Sequence, residues 1–151
     1  PHILMTKPYL DSLPQKQLIE IIENAVQKIK PDIMCIPFRD SFDQDHRAIS
    51  TACITALRPL PPSLHHQPKI IMECEEPYSW TVENSFRPTL YIDITNFFKD
   101  KIALLKIHQS QLRSDPFPRS PENLERLAGL RGCEIGVRYA EAYHLVKGQL
   151  S

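Results

Sequence analysis

Residues 32–47 have the sequence DIMCIPFRDSFDQDHR, in which a short apolar run leads directly into an acidic turn. The apolar run has the length of a buried strand, and the turn contains Asp40, Asp43 and Asp45 followed by His46. Three carboxylates this close in sequence repel one another unless a cation, a histidine or helix N-terminal amides offset their charge. The stretch therefore predicts a strand of an α/β fold with a candidate site at its carboxyl end.

The segments on both sides of this stretch have helical periodicity. Apolar residues spaced three and four apart predict a helix over about 13–29, which a Lys-Pro pair ends. The run 32–37 is then a strand, and its continuous apolar character indicates that both of its faces are covered. A second helix is expected over about 45–57, with His46 on its first turn.

Beyond residue 57, Pro-rich connections alternate with short apolar segments. The stretch 58–68 is a stiff loop, and we interpret His65 and His66 in it as solvated side chains, with metal binding as the alternative. The remaining expected elements are strands over 69–74 and 89–94, a third helix capped by Thr95 and running to about His108, a fourth helix around 124–130, and a last apolar segment over 139–146. This alternation predicts a single domain with an open, mostly parallel sheet and helices on both faces.

The composition argues against several classes of function. Eighteen basic and eighteen acidic residues cancel, whereas a nucleic-acid binder normally has a basic excess, so we expect no nucleic-acid partner. No window has the roughly twenty apolar residues of a membrane span, and the first residues do not resemble a signal peptide, so we expect a soluble, cytoplasmic protein. The four cysteines lack a CxxC pair, and we interpret them as reduced core residues.

Known phosphate-binding and nucleophile motifs are also absent from the sequence. The four glycines form no G-x-G-x-x-G or Walker sequence, which disfavours a dinucleotide cofactor, and there is no G-x-S-x-G nucleophile elbow. With these motifs absent, the sequence indicates a site built from carboxylates and a histidine.

Several short motifs follow one another in an order that covers nearly the whole chain. Lys30-Pro31-Asp32 precedes the first strand, and Asp43-Gln44-Asp45-His46-Arg47 opens the next helix. The later ones are Tyr91-Ile92-Asp93-Ile94, Lys101 with His108-x-Ser110-Gln111, and Arg131-Gly132 with Tyr139-Ala140-Glu141-Ala142-Tyr143. In this order they resemble the LmbE-like, or PIG-L-like, zinc-dependent N-deacetylases, and the ordered set is more specific than any one motif.

The resemblance implies a Rossmann-like fold and hydrolysis of an N-acetyl group from an N-acetylglucosamine-type amino-sugar derivative. The family holds Zn²⁺ with two histidines and an aspartate, and His46 occupies the position of the last histidine in the family's H-x-D-H segment. His46 is therefore the implied metal ligand, and Asp45 is the acid beside it that orients a neighbouring side chain. Glu75, near a strand end, is a candidate to hydrogen-bond a sugar hydroxyl, and Trp80 to stack on a sugar ring; a solvated loop is the alternative.

Two differences from the family pattern bear on activity. The family's N-terminal motif, approximately AHPDDE, carries the other two ligands and the general base, and this sequence lacks it. We therefore expect these 151 residues to be the C-terminal portion of a longer deacetylase domain, with apolar faces and sheet edges exposed where the first strand is missing. Asp43 replaces the first histidine of H-x-D-H, so it has either a catalytic role or the structural role of a helix N-cap.

Two functional hypotheses follow. The first is a zinc-dependent N-deacetylase, an enzyme hydrolysing a linear amide bond of a small-molecule or glycan amino-sugar substrate, with Asp43 and Asp45 as catalytic residues and His46 on the metal. The alternative is a catalytically inactive relative that acts as a sugar-binding or regulatory module. Either protein is compatible with a homo-oligomer, because a short sheet leaves edges that associate.

Overall fold

A computed structural model describes residues 9–78 and 84–149, which contain one sheet of four strands and four α-helices. The helices are α1 (Gln15–Ile29), α2 (Gln44–Ala56), α3 (Phe98–Ile107) and α4 (Pro121–Ile135), and the strands are β1 (Ile33–Pro37), β2 (Ile70–Cys74), β3 (Leu90–Asp93) and β4 (Ala140–Gly148). The strand order is β1-β2-β4-β3, with β1 and β2 parallel and β3 and β4 antiparallel. The expected α/β class with an open sheet is confirmed, and the described part of the sheet is mixed.

The chain divides into two compact units. The first consists of Pro1–Cys74 and Leu145–Ser151, and the second of Glu75–His144. The first unit contains α1, β1, α2 and β2 with the end of β4, and the second contains β3, α3 and α4 with the start of β4. No helix within residues 9–78 and 84–149 is both long and apolar enough to cross a lipid bilayer.

The core of the first unit is formed by the facing sides of α1, α2, β1 and β2. On α1, residues spaced by four point inward, which is the periodicity that predicted this helix. The buried set is Leu18, Ile22, Val26, Ile36, Ala52, Cys53, Ala56, Leu57 and Ile71. Burial raises the pKa of the Cys53 thiol to about 12, so this cysteine acts as an apolar core residue.

The core of the second unit is smaller and is built around aromatic residues. Phe98 at the start of α3 stacks on Tyr139 with 4.1 Å between ring centroids, and Ile94 and Ala128 complete the buried cluster. Ser120 caps α4 by accepting a hydrogen bond from the Asn123 amide at 3.2 Å.

Strand β1 differs from its sequence-based prediction. Ile33 is 54% exposed and Cys35 is also exposed, so the expectation that both faces of this strand are covered is wrong. The strand lies at the end of the described sheet order, and one of its faces has no layer over it within the described residues. Cys133 is exposed as well, so not all four cysteines are core residues.

Two loop predictions are also corrected. The third helix begins at Phe98 without a side-chain cap, because the Thr95 hydroxyl is engaged by Tyr139. This hydroxyl donates to the Tyr139 carbonyl oxygen at 3.4 Å and accepts from the Tyr139 amide at 3.3 Å. His65 is buried and its Nδ1 lies 2.8 Å from the His66 carbonyl oxygen, while His66 Nε2 lies 2.9 Å from the Pro31 carbonyl oxygen. These histidines hold the Pro-rich loop through backbone carbonyls and are not simply solvated.

Gly132 in α4 is needed for a close approach of the backbone. A Cβ at this position would lie 2.6 Å from the Val137 carbonyl oxygen and 2.7 Å from that of Arg138. Both neighbours are backbone atoms, so they cannot move aside as a flexible side chain can. Gly129, one turn earlier in the same helix, has nothing within 4 Å of its Cβ position.

We expect Gly132→Ala to destabilise the protein by about 2 kcal/mol or more, because the added methyl overlaps backbone oxygen atoms. Gly129→Ala is the matched control, and we expect it to stabilise the protein by about 0.5–1 kcal/mol through the higher helix propensity of alanine. Urea unfolding of both variants measures the difference, and equal effects would show that the helix packs less closely at Gly132 than described.

Candidate functional site

The acidic turn between β1 and α2 is held by hydrogen bonds to helix amides. Asp43 is the N-cap of α2, and its Oδ1 accepts from the amides of Asp45 at 2.9 Å and His46 at 3.3 Å. Its own amide donates to Ser41 Oγ at 3.0 Å. The amides at the N-terminus of α2 therefore offset part of the negative charge of this acidic cluster.

Arg47 closes the same turn from the other side. Its guanidinium Nη1 donates to the carbonyl oxygens of Ser41 at 2.6 Å and Phe42 at 2.9 Å. The amide of Arg47 also donates to the Asp43 carbonyl oxygen at 3.1 Å, which begins the regular hydrogen bonding of the helix. Because both ends of the loop are fixed, His46 is held on the first turn of α2 at the carboxyl end of β1.

Asp45 contacts a segment that lies before α1. Its Oδ1 accepts from the amide of Asp11 at 3.0 Å, and Asp11 belongs to a short 3₁₀ helix, Leu10–Ser12. This bond joins two segments that are 34 residues apart in sequence. The Asp45 side chain therefore has a structural partner in addition to its predicted role beside His46.

A buried acid and a half-exposed arginine form an ion pair at the same end of β1 and β2. Glu73 is 1% exposed, and its Oε1 accepts from Arg39 Nε at 2.9 Å. Glu73 is paired with Ile36 in the parallel register, so the loop that carries Arg39 leaves β1 directly beside it. The sequence analysis missed this pair, although an acid inside an apolar strand and an arginine just after the neighbouring strand were the available signals.

The residues near the acidic turn do not by themselves form a complete metal site. Within residues 9–78 and 84–149, no three histidine, cysteine, aspartate or glutamate side chains are arranged to hold a metal ion. Catalytic zinc normally has three protein ligands, so one imidazole is insufficient. The described residues alone therefore do not fit a catalytic zinc ion, and the ligand role of His46 stays a prediction.

Glu75 lies in the second unit and is engaged by Arg131. Its side chain is 5% exposed, and Arg131 Nε donates to Oε2 at 2.9 Å and to Oε1 at 3.2 Å, with a further bond from Nη2 to Oε1. Arg131 Nη1 also donates to Glu134 at 2.7 Å. The hydrogen bonds with Glu75 are the main reason that the pKa of Arg131 is raised. Sugar binding by Glu75 stays a prediction, and any sugar hydroxyl competes there with a bidentate arginine.

Lys101 and Glu141, which belong to two separate sequence motifs, meet in the second unit. Lys101 Nζ donates to Glu141 Oε1 at 2.6 Å, and the Tyr143 hydroxyl donates to Oε2 at 2.6 Å. Burial acts to raise the pKa of Glu141, but the hydrogen bonds from Lys101 and Tyr143 outweigh it and leave that pKa below its usual value. The pair joins α3 to β4.

Other predicted site residues have simpler positions. Ser110 and Gln111 lie in a 3₁₀ helix, Gln109–Gln111, that follows α3, and Gln111 Oε1 accepts from Arg119 at 2.8 Å. Trp80 lies outside the described residues.

Three solved structures share the fold of this chain. A conserved protein, TT1542 from Thermus thermophilus, superposes with a TM-score of 0.70 at 18% identity, over 97% of this chain and 65% of its own. An N,N'-diacetylchitobiose deacetylase from Pyrococcus horikoshii, in complex with its inhibitor MPG, has a TM-score of 0.68 at 20% identity. The match covers 91% of this chain and 54% of the deacetylase chain. GalB, the 4-carboxy-2-hydroxymuconate hydratase from Pseudomonas putida KT2440, has a TM-score of 0.70 at 14% identity. The match covers 96% of this chain and 64% of the hydratase chain.

These comparisons establish the fold relationship. The chain spans 54–65% of the length of those three solved chains. No family model matches the sequence, and no curated protein does.

We expect Asp43→Ala to destabilise the protein by about 1 kcal/mol, because two α2 amides lose their acceptor. Asp43→Asn keeps a capping oxygen and should lose less than half of that amount. Asp32→Ala is the control, since its exposed carboxylate forms a 3.7 Å ion pair with Lys69 at the surface, and its loss should change stability by less than about 0.5 kcal/mol. Chemical denaturation checks this, and an Asn variant as unstable as the Ala variant would argue against the cap.

The Glu141 contacts predict a pH dependence of stability. A carboxyl group whose pKa is lowered in the folded protein adds stability above its unfolded pKa of about 4.3, and this contribution is lost as pH falls through the lower folded value. We therefore expect wild type to be more stable than Glu141→Gln near neutral pH, with the difference shrinking below about pH 4. Thermal unfolding from about pH 7 to about pH 3 tests this, and a difference independent of pH would contradict it.

Proposed function

We propose that this protein is a zinc-dependent N-deacetylase that removes the N-acetyl group from an N-acetylglucosamine-type amino-sugar derivative in the cytoplasm. The observation that carries the proposal is the position of the Asp43–Arg47 motif, which opens α2 at the carboxyl end of β1. This is the edge at which open α/β sheets bind ligands. The fold in which it lies is shared with a diacetylchitobiose deacetylase.

The fold alone does not select this reaction, because a hydratase has it too. The ordered sequence motifs favour the deacetylase, because they resemble that family. Several of their residues also make defined contacts in the structure. Asp43 and Arg47 fix the turn, Gly132 allows a close backbone approach, and Lys101 pairs with Glu141 across two motifs.

In this proposal, His46 is one ligand of the zinc ion, and the remaining donors come from elsewhere in the complete protein. A zinc ion bound there would lower the pKa of a water molecule to about 7 and would offer a counter-charge for the oxyanion of amide hydrolysis. The Asp43 cap acts as a positioning contact, because it fixes the backbone of His46 through the amide hydrogen bond at 3.3 Å. Asp45 ties the first turn of α2 to Asp11, which limits the rotation of that turn.

A second candidate is a catalytically inactive relative that binds an amino sugar. The observation that favours it is the use of Asp43 and Asp45 as acceptors for backbone amides, together with the lack of a three-donor group in the described part of the chain. Sugar binding without acetate release distinguishes it from the enzyme.

The test combines metal content with activity. We expect the complete protein, which would supply the donors that the described residues lack, to bind about one zinc ion and to release acetate from N,N'-diacetylchitobiose or another N-acetylglucosamine derivative. His46→Gln should weaken zinc binding at least roughly tenfold and lower the rate with it. His144→Gln is the matched control, because this half-buried histidine lies outside the acidic turn and its ring Nδ1 lies 3.0 Å from the Arg87 carbonyl oxygen.

Each outcome bears on a different part of the proposal. Unchanged zinc content in His46→Gln would remove the ligand assignment. A zinc-loaded wild type that binds the sugar but releases no acetate would replace the enzyme with the inactive relative. Equal losses in the His46 and His144 variants would indicate a general effect on folding, which circular dichroism of both variants identifies.

A further inference from the structure

A cavity of about 580 Å³ lies in the second unit, beside α4. This volume is within the range of about 300–1,000 Å³ that is typical of small-molecule sites. Its apolar walls are formed by Pro77, Pro116, Pro118, Leu127 and Leu130. The proline rings restrict the backbone, so these walls are stiffer than those of an ordinary loop.

Leu130 shows that this apolar surface is open. It lies on α4 and is 56% exposed, although it is a large aliphatic residue at the cavity wall. An apolar ligand that covered Leu130 would remove its side chain from water at a gain proportional to the area buried.

The polar residues of the cavity hold the wall together. Asn123 donates from Nδ2 to the carbonyl oxygens of Pro116 at 2.8 Å and Phe117 at 2.9 Å. Its Oδ1 accepts from Arg126 at 2.6 Å. Both hydrogens of the Asn123 amide nitrogen are therefore used, and a ligand acceptor would have to break one of these bonds, whereas Oδ1 accepts one bond here and has a second lone pair.

The positive charges of the two arginines of the cavity are balanced by neighbouring carboxylates. Arg126 makes two hydrogen bonds to the Asp115 carboxylate, at 2.5 and 3.3 Å. Arg131 is shared between Glu75 and Glu134. Three carboxylates thus face two guanidinium groups, and an anionic ligand has little net positive charge to bind.

We propose that this cavity binds an uncharged apolar group of a small molecule, either an alkyl chain or an aromatic ring. Its free surface is apolar, its polar side chains are engaged by one another, and its charges leave no excess that would attract an anion. The inference goes beyond deacetylation and does not depend on it, since binding is measured without metal or turnover.

The test uses N-phenyl-1-naphthylamine, an uncharged probe that fluoresces in apolar surroundings. We expect saturable binding to wild type and a roughly tenfold weaker affinity for Leu130→Gln, because the substitution places an amide in the apolar wall. Leu104→Gln is the matched control, since Leu104 is a 61% exposed leucine of α3 that is not part of the cavity wall, and its affinity should equal that of wild type. Circular dichroism and urea unfolding confirm that both variants fold.

A second apolar cleft, of about 330 Å³, lies in the first unit and includes Ile29 of α1. We expect Ile29→Gln to leave the affinity of the probe unchanged. Loss of binding in Ile29→Gln but not in Leu130→Gln would overturn the proposal, as would the absence of saturable binding to wild type.

Competition defines the charge of the ligand. We expect octanol to displace the probe at a concentration at least roughly fivefold lower than octanoate, because the carboxylate lacks a free cationic partner. Octanoate as effective as octanol, or better, would overturn the assignment of an uncharged ligand.

Discussion

The two amide hydrogen bonds that Asp43 accepts at the start of α2 determine the geometry of the candidate site. They fix the backbone of Asp45 and His46, while Arg47 fixes the loop before them through two carbonyl oxygens. The acidic turn is therefore stabilised chiefly by helix amides and backbone contacts that its own residues provide. Any ligand that binds at this edge meets a turn whose conformation is already set.

Each unit also neutralises a buried acid with its own arginine. Glu73, at the end of β2, is paired with Arg39 in the first unit, and Glu75 is paired with Arg131 in the second. These acids are two residues apart in sequence, and the division between the units falls between them. A buried carboxylate without its partner is strongly destabilising, so both arginines are needed for the packing around them.

A deacetylase and a hydratase share this fold, so the fold alone does not determine the reaction. The fold supplies an open sheet edge, and the side chains at that edge determine what reacts there. In this chain the edge carries Asp43, Asp45 and His46, together with the buried acid Glu73 and its half-exposed partner Arg39. The chemistry therefore depends on which additional donors approach His46.

The sequence by itself determined the α/β class, the bounds of α1, α2, β1 and β2 to within about two residues, and the position of His46 on the first turn of α2. Local periodicity and proline positions suffice for this, because helices and strands bury faces with periods of 3.6 and 2 residues. The exposure of Cys35, the burial of His65, and the pairings of Glu73 and Glu75 with arginines were decided only by tertiary structure. The arginine partners of Glu73 and Glu75 are 34 and 56 residues away in sequence. No local pattern specifies which distant side chain a buried charge will contact.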